Sequence, residues 1–151
     1  MKISSIIVSV VTGVLLLSGC SGSSSSGATT SYAGVYTGTS TMTLRGLGVT
    51  ATEVVPLRVV VGVDGQVSVS VPGSSEASCA GPQIPMSLVG NKASASTQNV
   101  SCSTADLQCS VSGSFTYTFA SDSASQVGSA VMNCNIGRVD VSYSGYLKKT
   151  A

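Results

Sequence analysis

Four cysteines, Cys79, Cys102, Cys109 and Cys134, are the residues of the distal chain best equipped for covalent chemistry. In an oxidising compartment an even number of thiols points to disulfides, and four cysteines allow three pairings. A metal is the competing use. The chain has no histidine, so only a four-cysteine zinc site would be open, and no pair has the two-residue spacing such sites use. The expectation is therefore two disulfides, no metal and no cofactor. The absent histidine also removes the usual general base. The six acids, Glu53, Asp64, Glu76, Asp106, Asp122 and Asp140, stand singly, most of them in predicted turns. Asp140 and Arg138 lie two apart, on one strand face, as a surface ion pair worth little. No catalytic residue is assigned, and the chain reads as a non-enzyme.

The fifth cysteine, Cys20, follows an apolar run that begins at Ile3, after the positive Met1-Lys2. At about 15 residues the run is shorter than the ~20 a helix needs to cross a bilayer, and serine, threonine and glycine dilute it. It reads as a signal peptide. Leu17-Ser18-Gly19-Cys20 resembles the lipobox of bacterial lipoproteins. That resemblance implies cleavage before Cys20, a diacylglycerol with palmitate-type acyl chains on Cys20, and a membrane anchor. Two chains suffice for stable anchoring, since each buried CH₂ contributes about 0.8 kcal/mol. Ser21 follows the cysteine instead of the Asp that disfavours outer-membrane delivery, so the resemblance implies the outer membrane of the cell envelope. Three regions result: a signal peptide over 1–19, the lipidated cysteine and a Ser/Gly-rich tether over 20–31, and one folded domain over 32–151. The eleven tether residues after Cys20 span about 18 Å as a random coil.

Without the signal the chain holds six cations and six acids: Arg45, Arg58, Lys92, Arg138, Lys148 and Lys149 against the six carboxylates above. In sequence the cations are scattered except for the last pair, which reads as a solvated C-terminus. No run could neutralise a series of phosphates, which excludes nucleic acid as a partner.

The folded part shows the period of two that belongs to strands. Gly34 to Leu44 alternates, with Thr on one face. Val54 to Val63 and Val67 to Val71 flank Asp64-Gly65, a hairpin signal that predicts a two-residue turn with both residues at positive φ. Pro56 predicts a strand start or an edge. A weak segment around Pro82 and Pro85 runs on to Val89. Gly90-Asn91 reads as a turn and Ala93 to Cys102 as a polar strand. Leu107 to Phe119 places Leu107, Cys109, Val111, Gly113, Phe115, Tyr117 and Phe119 on one face. Ala120 to Gln126 reads as a loop, Val127 to Cys134 returns, and Val139 to Leu147 is the last strand. No helical period occurs after Cys20. The fold class is all-β: a small antiparallel barrel of about eight strands, with a β-sandwich as the alternative. Glycines at in-facing positions 38, 113 and 145 suggest bends where the sheet curls.

Facing residues of an antiparallel hairpin share a constant index sum. Turns at 90–93 and near 122–123 give sums near 183 and 245, which favour Cys79–Cys102 and Cys109–Cys134. The alternative is Cys102–Cys109 with Cys79–Cys134, because 102 and 109 flank a short loop.

Two segments carry further resemblances. Gly34-Val35-Tyr36 resembles the Gly-x-Trp of lipocalins, with Tyr in the Trp position. That likeness implies an apolar small-ligand binder whose last strand brings an arginine over the ring, here Arg138. Phe115, Tyr117, Phe119 and Tyr36 would line its interior. Ser144-Gly145-Tyr146 is similar to the Ser-Gly signature of periplasmic lysozyme inhibitors and implies a binding loop there. Tyr143 and Tyr146 read as one core and one surface residue of the final strand. The leading functional expectation is a non-catalytic binding or structural module anchored in the envelope, with a protein partner.

Overall fold

The computed structural model describes residues 31–72, 78–80 and 86–151. Cys20, the expected signal and nearly all of the expected tether lie outside the described residues, as do Glu76 and the Pro82–Pro85 segment. Among the described residues nine strands follow one another: β1 (Gly34–Gly46), β2 (Val49–Val61), β3 (Gln66–Ser70), β4 (Ser78–Ala80), β5 (Met86–Val89), β6 (Lys92–Ser103), β7 (Gln108–Phe119), β8 (Ser123–Cys134) and β9 (Gly137–Lys149). No helix occurs among the described residues.

Every pairing is antiparallel, and the order β1-β2-β3-β5-β6-β7-β8-β9 returns to β1, so eight strands close a barrel. A sandwich is excluded, because β6 pairs with β7 and leaves the sheet without an open end. β4 is a ninth, short piece of wall. It pairs with the far end of β6, at Ser101–Ser103, while β5 takes the near end at Lys92 and Ala93. Alternation dictates which side chains go inside. In β7, Cys109, Val111, Phe115, Tyr117 and Phe119 are buried. In β1, Tyr36, Ser40, Met42 and Leu44 are buried.

The structure departs from the sequence reading at several boundaries. β2 begins at Val49 rather than Val54, because the tight Leu47-Gly48 turn, with both residues at positive φ, carries β1 directly into it. The β2–β3 connection is longer than two residues. Only Gly65 has positive φ there, the Asp64 carboxylate accepts the Gln66 N–H, and Gly62 N–H donates to Gln66 O. That pattern is a three-residue loop whose last residue is left-handed. Pro56 sits within β2, opposite Thr39 and beyond the end of the β3 pairing, which reaches only to Arg58. Its missing N–H therefore breaks no ladder among the described residues. β8 begins at Ser123, so the expected loop through Gln126 is mostly strand.

The outer face is polar. One lateral row, Thr52, Thr43, Ser142, Ser129, Ser114 and Ser96, crosses six strands with hydroxyl residues only.

Candidate functional site

The index sums place the cysteines. The β7–β8 register sums to 243, two less than expected, so Cys109 faces Cys134 directly, and the two are bonded with Cα atoms 3.9 Å apart. This excludes the alternative that paired Cys102 with Cys109. The backbone also sets Cys79 opposite Cys102, and Cys102 opposite Cys109. All four cysteines thus share one lateral row across β4, β6, β7 and β8. Where two disulfides were expected, the described side chains show one, Cys109–Cys134.

The barrel interior holds the buried polar residues Ser40, Thr97 and Gln126. A polar chain crosses it: Ser40 Oγ donates to Gln126 Oε1 at 2.5 Å, and Gln126 Nε2 donates to the Tyr117 hydroxyl at 2.8 Å. All three residues are buried. Gly145 makes room for this chain. A Cβ there would lie 2.9 Å from Gln126 Oε1 and 3.1 Å from the Thr39 carbonyl oxygen. Burial pushes the Tyr117 phenol well above its ordinary value, and the hydrogen bond from Gln126 only partly offsets this. Burial likewise raises the Tyr143 phenol, with Tyr117 adding to the effect. The Tyr143 hydroxyl and Thr97 Oγ1 have no hydrogen-bond partner among the described residues.

The expected ligand-lining residues do converge. Tyr36 packs edge-on against Phe119 at 5.1 Å, and Phe115 packs edge-on against Tyr143 at 6.3 Å. They enclose little space, however. A void large enough for water would leave accessible surface on the side chains lining it. Tyr36, Met42, Tyr117, Gln126 and Leu147 each have 0% exposure. At these positions the barrel is filled by its own side chains, as eight-stranded barrels allow.

A cation does reach the Tyr36 ring from the last strand, but it is Lys149, with Nζ 5.7 Å from the ring centre. Arg138 lies at the start of β9, at the opposite end of the barrel. There it is paired with Asp140 at 3.0 Å, both side chains exposed. The lipocalin-like expectation for Arg138 is thereby corrected: the register Tyr36↔Lys149 decides which β9 cation covers the ring. Ser144-Gly145-Tyr146 lies inside β9, not in a loop, because each residue is paired with both β1 and β8. Tyr143 is buried and Tyr146 exposed, as expected. Sequence reasoning missed Gln126 and Ser40, since a buried amide and hydroxyl look like loop or surface residues until the register turns them inward. No group of three or more cysteine and acidic side chains among the described residues is placed to hold a metal.

No known protein family, no curated protein and no solved structure matches this chain.

Proposed function

We propose that the protein is a lipid-anchored envelope protein, tethered through Cys20 to the outer membrane. It acts by presenting the outside of a rigid barrel to another macromolecule, without catalysis. The observation that carries this reading is the filled interior. With Tyr36, Met42, Tyr117, Gln126 and Leu147 fully enclosed, recognition falls to the hydroxyl-rich wall and the two ends. The rigidity comes from barrel closure and from disulfides. We include Cys79–Cys102 as the second bond, supported by the direct register of the two residues and by Cys102 being a bonded cysteine.

The lipocalin-like reading, a small apolar ligand held inside, has one observation in its favour: Lys149 stands over Tyr36 where that family's arginine would stand. Titration with an environment-sensitive apolar dye separates the two. A filled barrel leaves dye emission unchanged until the protein unfolds. Saturable, stoichiometric enhancement by the folded protein would replace the first reading with the second. The anchor is tested by intact mass of protein extracted from its membrane. A diacylated Cys20 with two internal disulfides is expected, and an unmodified Cys20 or free thiols would overturn those assignments.

A further inference from the structure

Folding gathers cations that are scattered in sequence. Arg58, Lys92, Lys148 and Lys149, four of the six outside the signal, all lie at the barrel end where β1 begins. Arg58 and Lys148 flank Thr37 on adjacent strands, Lys149 pairs with Tyr36, and Lys92 opens β6. Two carboxylate side chains among the described residues share this end with the four cations. Asp64 is occupied with the Gln66 N–H, and Asp122 accepts from Ser123 Oγ. Two apolar side chains stand out beside the cations: Val63 on the β2–β3 turn, 66% exposed, and Val89 on the β5–β6 hairpin, 81% exposed. The two turns are joined, because Leu88 N–H donates to the Gly65 carbonyl.

This is also the end at which the chain from Cys20 enters. Tyr32 is fixed there, its carbonyl accepting the Tyr36 hydroxyl and its ring 6.5 Å from Phe119. A Ser/Gly chain of twelve residues, the length from Cys20 to Ser31, has a mean span of about 20 Å, so a membrane holding Cys20 lies near this end.

We propose that this end seats on the anionic phospholipid surface into which Cys20 is anchored. The basic side chains meet headgroup phosphates, while Val63 and Val89 enter the boundary between headgroups and acyl chains. Clustered Lys and Arg beside exposed apolar residues give the two attractions such a surface offers. The proposal rests on the lipid anchor and adds to it an orientation. The wall and the opposite end then face away from the membrane.

The test uses full-length lipidated protein on vesicles of phosphatidylcholine alone, or with about one phosphatidylglycerol per two phosphatidylcholines. Lysines are acylated with a water-soluble reagent, arginines are modified with a dicarbonyl, and rates are read by peptide mass. On the anionic vesicles Lys92, Lys148 and Arg58 should react about threefold or more slowly than on neutral ones, an effect screened away by high salt. Arg45 and Arg138, at the far end, should be unchanged. The R58Q/K148Q/K149Q variant should still float with vesicles and lose the protection of Lys92. Equal rates on the two vesicles would overturn the seating while leaving the anchor intact. So would protection of Arg45 and Arg138, which stand beside the exposed Leu47, Val49 and Ile136. Protein that fails to float with vesicles at high salt would overturn the anchor, and the seating with it.

Discussion

At the scale of single residues, the interior sets satisfied and unsatisfied polar groups side by side. Ser40, Gln126 and Tyr117 are joined by two hydrogen bonds, whereas the Tyr143 hydroxyl has none among the described residues. Leaving a buried polar group unpaired costs about 1–3 kcal/mol. Tyr143→Phe should therefore leave stability unchanged or raise it by about 1 kcal/mol. Ser40→Ala, which strips Gln126 Oε1 of its donor, should lower it by about 1–2 kcal/mol. Denaturant unfolding of the two variants checks both. The phenols give a pH dependence of definite sign. Tyr117 and Tyr143 are held well above the ordinary tyrosine pKa of 10.0 in the fold, so below that pH folded and unfolded chains are both protonated there and stability is constant. Above it the unfolded chain ionises first, binds fewer protons than the native one, and stability falls. The slope approaches about 1.4 kcal/mol per pH unit for each such tyrosine. Alkaline unfolding should accordingly begin above about pH 10, and Tyr143→Phe should remove about half of the slope contributed by this pair.

At the scale of elements, register governs. Gly38 faces inward opposite Leu57 and Leu147, and a Cβ there would collide with the backbone of Tyr146 and Leu147 on β9. Gly38→Ala should cost about 1–3 kcal/mol, because β9 must shift along its whole pairing. Circular dichroism melts would show it. The β7–β8 hairpin is clamped at its open end by Cys109–Cys134, a separation of 25 residues. Chain-entropy estimates put the contribution of such a loop at about 3 kcal/mol. The double variant C109A/C134A should lose that much in a denaturation series and remain all-β by circular dichroism. An intact or raised midpoint would mean that the clamp adds nothing beyond the eight-strand closure. Much at this scale is legible in the chain. The alternation in β1, β7 and β9 is written in Thr, Ser and apolar residues, and hairpin sums came within two of the observed registers. Gln126 shows where legibility ends. A polar residue in the sequence Ser-Ala-Ser-Gln reads as loop, yet three-dimensional partners on β1 and β7 make it a core residue of a strand.

At the scale of the whole molecule, closure converts a modest apolar content into a core. The interior draws on Val, Ala, Met and a few aromatics from eight strands, which explains how a domain short of Leu, Ile and Phe encloses one. Closure also separates the surface into a hydroxyl-rich wall and two chemically different ends, with β1 beginning at the basic one. Cys20→Ser should release the protein from washed membranes into the soluble fraction, read by immunoblot. Retention on the membrane would overturn a lipid on Cys20 as the attachment.

The sequence by itself determined the period-two pattern and the all-β class and favoured the pairing of Cys109 with Cys134, because side-chain alternation and turn positions are local properties of a strand and its hairpin. It also carries Leu17-Ser18-Gly19-Cys20, the resemblance on which the proposed anchor rests. Only the tertiary structure decided that the sheet closes, that a short β4 completes the wall beside β6, that Lys149 rather than Arg138 covers Tyr36, that the interior is filled, and that four scattered cations share one end. Each of these depends on which distant strands meet and in what register, and that is fixed by the mutual fit of eight strands around one core.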